Sequence, residues 1–407
     1  MIRETGEFDG FREPHAEYPK AMSDQYTEIS SQGFFSRLLN SLLGTLVGIL
    51  FLVGSVVVLF WNEGRAVQAA RALSSGQRQV TEANVGTVNA ALDGTLVHAT
   101  DTLSAAAGAR DPTFRVGDNN WVRLRRKVEM FQWQEQRRSN SHESVGGTKT
   151  TEVAYEYHTA WAENPNDSSH FRHPEGHENP PMPLRGEIFN GREIRLGTYR
   201  VSDTVLETIS TFRPISVDGS ATEPAGYRRE GGGFYRGAGN PAAPAVGDVR
   251  VTFSGVAQQT VSIVAGVSSG TLDAYRATNG YQIAVGKPGV VPASALFEGV
   301  KHQEDLRTWI FRGVGWMLML FGFVLVGGPV VTLLAFLPLL EGMAQAGVFL
   351  IAVTLSIPLT LLTIAVAWFG HRPLLSLALG VGAAAVFLLL RIAHPKAPQP
   401  PSTAIQA

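Results

Sequence analysis

The stretch that decides the fold is LLNSLLGTLVGILFLVGSVVVLF, Leu38 to Phe60, followed at once by Trp61-Asn62-Glu63-Gly64-Arg65-Ala66-Val67. No charged side chain interrupts the run before Glu63. A helix rises about 1.5 Å per residue, so about 20 such residues cover the roughly 30 Å hydrocarbon core of a bilayer. The chain is therefore read as anchored in a membrane near its start. The run begins too late and is too long for a cleaved signal peptide, so the anchor is expected to be retained.

Outward from this anchor the chain is bimodal. A formal net charge of -1 and a mean hydropathy of +0.04 average long apolar runs against a polar middle. The absence of cysteine among 407 residues excludes disulfides and Cys-ligated zinc or iron-sulfur centres. Of the 34 basic residues, 28 are arginine, a skew that points to a GC-rich bacterial genome. Before the anchor, residues 1–37 carry seven acidic and four basic side chains with no apolar periodicity; they read as a disordered tail.

After the anchor, Asn62 to Gln79 keeps helical composition, with Val67, Ala70 and Leu73 at helical spacing, and is expected to form a short interfacial helix. The period then changes to two. Thr151, Val153, Tyr155, Tyr157, Thr159 and Trp161 alternate with polar or small residues, as do Val249, Val251 and Phe253, and Tyr281, Ile283 and Val285 after the Thr278-Asn279-Gly280 turn. Such alternation predicts antiparallel strands with one buried face. A long strand over Asn120 to Gln134 is expected to pair with Thr150–Trp161. Asn164–Pro183 and Pro224–Pro244, rich in Pro, Gly and Asn, read as loops.

Three further apolar runs close the chain. The resulting fold class is an α+β membrane protein of four transmembrane helices, one N-terminal and three C-terminal, with a large β-rich antiparallel domain between spans 1 and 2. The boundaries are 1–37 tail, 38–60 span 1, 61–312 domain, 313–337 span 2, 344–368 span 3, 374–390 span 4 and 391–407 disordered tail. Pro329 and Pro358 fall inside spans and each should kink its helix. Small residues Gly44 and Gly48, and Ser376 and Gly380, form faces suited to close helix approach and self-association.

Several ordered motifs carry a resemblance. The Trp61–Val67 signature after the first span, Val128-Glu129-Met130-Phe131-Gln132-Trp133, Gly247-Asp248-Val249-Arg250-Val251, the Thr278-Asn279-Gly280 turn, and Leu306-Arg307-Thr308-Trp309 leading to Gly315-Trp316 together resemble the LUMA (transmembrane protein 43) family. The resemblance covers roughly Trp61 to Leu320 and the one-plus-three span order. It implies a large domain facing the lumen of the endoplasmic reticulum or nuclear envelope, hence periplasmic in a bacterial inner membrane with both termini cytoplasmic. It also implies a role in membrane organisation and complex assembly, with no established enzymatic activity. Arginine counting points the other way: Arg65, Arg71, Arg78, Lys301, Arg307, Arg312 and Arg372 on the domain side outnumber Lys20, Arg37, Arg391 and Lys396, which by the positive-inside rule would make the domain cytoplasmic. That rule is weak for large translocated domains, so the orientation that the resemblance implies is the expected one.

No P-loop or HExxH motif occurs, no catalytic residue is assigned, and no cofactor is expected. His170, His173 and His177 have a spacing that could ligate zinc, copper or nickel, or could be incidental to a polar loop. The end of span 1 and the start of span 2 share one membrane face, which brings Trp61, Asn62, Glu63 and Arg65 level with Arg307, Trp309, Arg312 and Trp316. Glu63 is expected to pair with Arg65, Arg307 or Arg312; alternatively the arginines reach lipid phosphates independently. The basic run Arg123, Arg125, Arg126 and Lys127 is followed by Glu129 and Glu135, which disfavours nucleic acid as a partner. The expected partners are the bilayer itself and other membrane proteins or further copies of the chain. The expected function is structural or scaffolding, with a lipid- or envelope-component-binding domain as the alternative, its pocket opening at the bilayer surface.

Overall fold

The computed structural model describes residues 24–144, 147–217, 219, 221–369, 380–382, 384 and 385. The chain begins with β1 (Asp24–Gln32) and α1 (Phe34–Gln79), followed by β2 (Thr81–Glu82), β3 (Leu96–Ala107), β4 (Trp121–Glu143) and β5 (Lys149–Ala162). Shorter pieces follow: β6 (Glu187–Asn190), β7 (Arg192–Leu196), β8 (Tyr199–Val201), α2 (Asp203–Glu207), β9 (Arg213–Ile215), β10 (Arg228–Glu230) and β11 (Gly233–Arg236). Then come β12 (Val249–Ala257), β13 (Gln259–Ser268), β14 (Thr271–Asp273), β15 (Tyr275–Arg276), β16 (Gln282–Ile283) and β17 (Val285–Pro288). The described chain closes with α3 (Ala293–Val326), α4 (Gly328–Leu334) and α5 (Pro338–Phe369).

Two large sheets and the two-stranded β15–β16 ribbon form the β-rich part among the described residues. One runs β1-β5-β4-β12-β11-β10, with β6 on β4 and β9 on β12; the other runs β17-β13-β14-β8-β7-β3-β2, with β13 also pairing β3. Period-two alternation places Val249, Val251 and Phe253 of β12 inward with Leu124, Val128 and Met130 of β4, around Phe114 and Phe234. The second sheet buries Val97, Leu103, Leu196, Tyr199 and Ile263 under Val205 and Ile209. The pairings are not all antiparallel, as the alternation alone predicts. β2–β3 and β8–β14 are parallel, because these two- and three-residue pieces take their direction from the segments that deliver them.

A third core joins the sheets to the long helices. Leu73 of α1 and Leu296 and Phe297 of α3 pack with Leu96, Val264, Ile283 and Val285. Gly76 permits this fit: a Cβ there would lie 2.9 Å from Ile283 Cδ1 and 3.0 Å from Leu96 Cδ2. The expected short helix at 62–79 is thus the upper part of α1, and the first turns of α3 stand beside it in the domain, each continuous with its membrane segment.

Among the described residues, three helices are long and apolar enough to cross a membrane: Phe34–Gln79, Ala293–Leu334 with its break at Gly327, and Leu339–Phe369. The expected span 313–337 is not one helix. α3 stops at Val326, and Pro329 stands at the start of α4, where its missing N–H costs no hydrogen bond. Pro338 likewise opens α5, so the expected loop 338–343 is helical, while Pro358 lies within α5. The expected fourth span, 374–390, falls outside the described residues except for 380–382, 384 and 385, which are helical. The C-terminal tail 391–407 also lies outside them.

The expected N-terminal tail is corrected from residue 24 onward. β1 pairs antiparallel with β5, Asp24 opposite Tyr157 and Gln32 opposite Lys149. Local composition could not announce it, because an edge strand of this polarity is held by its neighbour's backbone rather than by apolar burial. β1, β5 and the far half of β4 make a polar three-stranded arm. At its tip the Gly147 carbonyl accepts from Arg37 Nη1 at 2.9 Å, and Arg37 Nη2 pairs with Glu341 at 2.6 Å. Strands rise about 3.3 Å per residue, so the arm from Ala162 to Lys149 covers roughly the 40 Å that α1 covers between Phe34 and Asn62. Lipid does not solvate an open polar edge.

Candidate functional site

The site forms where α1 and α3 leave the apolar layer. On α1, Gly48, Ser55, Leu59 and Asn62 are buried at helical spacing and face α3. Gly48 and Gly322 set the approach: a Cβ on Gly48 would stand 2.8 Å from the Gly322 carbonyl, and one on Gly322 3.0 Å from that of Gly48. The small-residue face expected to serve self-association is thus engaged within the chain at Gly48. Gly44 sits looser, 4.0 Å from Leu325 Cδ2, and Gly380 has nothing within 4 Å of a Cβ position. Ser376 lies outside the described residues.

One turn above Leu59 the contact becomes polar. Glu304, Thr308 and Arg312 repeat every four residues along α3 and meet Asn62, Glu63 and Arg65. Asn62 and Glu63 are fully buried. Arg312 donates from Nε and Nη2 to the two oxygens of Glu63 at 2.7 and 2.8 Å, and Trp368 at the end of α5 donates its indole N–H to the same carboxylate. Asn62 Nδ2 donates to the Thr308 carbonyl at 3.1 Å. Arg65 is paired with Glu304 and also reaches Thr308 Oγ1 at 3.3 Å. Three helices are therefore tied through one buried carboxylate.

The aromatic residues surround this knot. Arg312 lies 4.9 Å from the centre of the Trp309 ring, and Trp61 meets Phe311 edge-on at 5.4 Å. Trp61 and Trp309 are 52% and 67% exposed, the disposition of side chains that sit at a membrane–water boundary. Trp316 points inward and donates to Ser356 Oγ at 3.2 Å. Arg307 stays outside the knot, with its nearest acid, Glu304, at 3.9 Å. Of the three partners open to Glu63 from the sequence, the fold selects Arg312.

Glu304 and Trp368 are members of the knot that motif reading missed. Glu304 had a signal, its four-residue spacing to Thr308 and Arg312. Trp368 had one too, since the end of α5 returns to the face that Trp61 occupies. Above the knot, Tyr281 donates to Glu304 at 3.2 Å; burial first, then the Glu304 charge, push its phenol up to about 12. Asn279 of the Thr278-Asn279-Gly280 turn donates to the Gln68 carbonyl at 2.7 Å, clasping α1. Beside these groups a cavity of about 850 Å³ opens between α1, this turn and α3.

The three histidines do not converge. His170 is exposed and paired with Asp167 at 3.1 Å. His173 stacks on Tyr26 at 4.3 Å, and buried His177 stacks on Tyr157 at 4.0 Å while its Nδ1 meets the His173 carbonyl at 3.0 Å. Among the described residues no group of three His, Cys, Asp or Glu could hold a metal ion. Two of these histidines instead form the bed on which β1 lies. Arg123 and Arg126 of the basic run are buried in the domain, Arg126 on Asp111 at 2.7 Å.

A family model described as Transmembrane protein 43 matches residues 130–373. Transmembrane protein 43 of Rattus norvegicus is 30% identical over 375 residues, 89% of this chain and 93% of the relative. The Homo sapiens protein is 29% identical, covering 90% and 94%, and the Drosophila melanogaster homolog is 29% identical, covering 84% and 93%. No solved structure matches. With this family match and a relative aligned over most of both lengths, the chain belongs to the transmembrane protein 43 family.

Proposed function

We propose that the protein is a structural component of its membrane, holding a large β-rich domain in fixed orientation over the bilayer as a platform for membrane organisation or complex assembly. The observation that carries this reading is the continuity of α1 and α3 from the apolar layer into the domain core, with the Glu63–Arg312–Trp368 knot at the junction. Such a junction resists rocking of the domain, which suits a platform. The large exposed apolar side chains of α1, including Leu39, Leu43, Leu46 and Leu50, suit a lipid-facing surface. The domain base is assigned to the extracytoplasmic face and the partners to the same membrane. Cross-linking mass spectrometry in native membranes tests this: recurrent links from the domain to itself or to other membrane proteins are expected, and their absence counts against the platform role.

A second reading, a lipid- or envelope-component-binding domain, is favoured by one observation, the cavity of about 850 Å³ that opens beside Arg312 and Trp368, where α1 and α3 enter the domain. Lipid analysis of the purified protein separates the two, since a pure platform retains no stoichiometric lipid.

A further inference from the structure

We infer that this cavity is the headgroup site for an anionic membrane phospholipid whose tail runs down α3, an assignment that rests on the second reading above. Three arginines line the cavity, Arg71 and Arg78 from α1 and Arg312 from α3, against a single lining carboxylate, Asp305. Arg71 and Arg78 are seven residues apart and so share a helix face. Both are exposed along that face, with Ser74 and Ser75 between them. Guanidinium groups and hydroxyls along one wall provide the hydrogen-bond donors that phosphate oxygens require.

Height along the helices sorts the roles. Arg312 is level with Glu63, whose carboxylate engages it, so it marks the membrane edge and its charge is largely compensated. At 1.5 Å per residue, Arg71 stands about 12 Å above Glu63 and Arg78 about 22 Å. The polar headgroup layer extends only about 5–7 Å beyond the hydrocarbon on each side. Arg71, with the reach of its long side chain, therefore serves the phosphodiester. Arg78 is placed for a second anionic group farther out, so the site selects a headgroup extended by a further phosphate.

The apolar end is a separate observation. A second cavity of about 340 Å³ is lined by Phe323, Leu355, Pro358, Leu359, Leu362, and by Gly380 and Ala384. Phe323 lies eleven residues after Arg312, three turns farther on the same face of α3 and about 16 Å deeper. It packs against the cluster of Leu59, Met319 and Ile364 that Trp368 also covers, so headgroup cavity and apolar cavity flank one core. A tail entering below Trp309 has an apolar lining waiting for it.

The test uses the full chain in nanodiscs of phosphatidylcholine alone, with phosphatidylserine, or with a phosphatidylinositol monophosphate, read by native mass spectrometry and thermal melting. Retention is expected to be strongest with the phosphoinositide and weakest with phosphatidylcholine. Arg71→Ala should weaken both anionic lipids about fivefold, the loss of roughly one surface arginine contact, and Arg78→Ala should weaken the phosphoinositide alone. Both positions are exposed, so folding is not at stake. Soluble inositol phosphate and glycerol phosphate, added to phosphatidylcholine nanodiscs, form the second arm. If they bind as tightly as the lipid, the site takes free phosphate and the lipid assignment falls. If lipid is retained but indifferent to both arginine variants, the site is wrong while lipid binding stands. If no composition is retained or shifts the melt, the second reading fails with it.

Discussion

Arg312 closes a two-pronged hydrogen bond onto the fully buried carboxylate of Glu63, 249 residues earlier in the chain, at 2.7 and 2.8 Å. A carboxylate without water needs such compensation, and here it is completed by the Trp368 indole from a third helix. The pair therefore ties the two ends of the β-rich domain to one point of the helix bundle.

Removing one partner leaves the other charge buried and uncompensated, which costs about 3–5 kcal/mol. Glu63→Gln and Arg312→Met are each expected to destabilise the detergent-solubilised protein by that order. The double variant should lose much less than the sum. Melting curves of the four proteins decide it: strictly additive losses would mean that the two side chains act on lipid independently.

The Gly48–Gly322 contact predicts a second effect. A leucine at position 48 meets the α3 backbone at Gly322 and Val326, and overpacking of this kind costs roughly 1–3 kcal/mol. Gly48→Leu should lower the melting temperature, whereas Gly54→Leu should not, because nothing lies within 4 Å of a Cβ there. Equal effects at both positions would show that the glycine is present only as a common membrane-helix residue.

β1 gives a topological prediction that the cysteine-free chain makes easy to read. Thr27 lies opposite Ala154 in the β1–β5 register, so the pair Thr27→Cys and Ala154→Cys should cross-link under mild oxidation in intact membranes. A membrane separating residue 27 from the domain would prevent the bond altogether.

The same strand should loosen in acid. Glu28 is held below its ordinary carboxylate range of 4.5, first by its hydrogen bond from Arg172, which meets it at 2.7 Å. A carboxylate whose folded pKa is depressed contributes stability above the unfolded value and loses it as pH falls through the folded one. Protection of residues 24–32 against hydrogen exchange, taken relative to the intrinsic rate at each pH, is thus expected to fall only below pH 4.5, with Glu28→Gln showing lower protection at neutral pH and no such acid step.

The histidine bed separates packing from metal binding. His177 is 2% exposed and stacked on Tyr157, so His177→Ala should destabilise the arm by about 1–3 kcal/mol, the range for losing a buried packed group. A chelator should leave the melt of the native protein unchanged. A chelator-induced drop would reinstate a ligand role for His170, His173 or His177.

What the sequence determined by itself was whatever depends on a residue and its near neighbours in a given solvent. The length of the uncharged run at Leu38–Phe60 announces a membrane helix, period-two alternation in Val249–Phe253 announces a strand with one buried face, and the ordered motifs from Trp61 to Trp316 place the chain in its family. The tertiary structure decided which distant groups meet. Arg312 rather than Arg65 or Arg307 faces Glu63 because of how α3 is rotated against α1, and that rotation is set by the backbone contact of Gly48 with Gly322. β1 is ordered by a neighbour more than a hundred residues away, and the histidines separate because His173 and His177 stack on Tyr26 and Tyr157 rather than on each other. The opening stretch retains its reading as an anchor, and only the fold shows that its last turn continues unbroken into the domain as a single helix from Phe34 to Gln79.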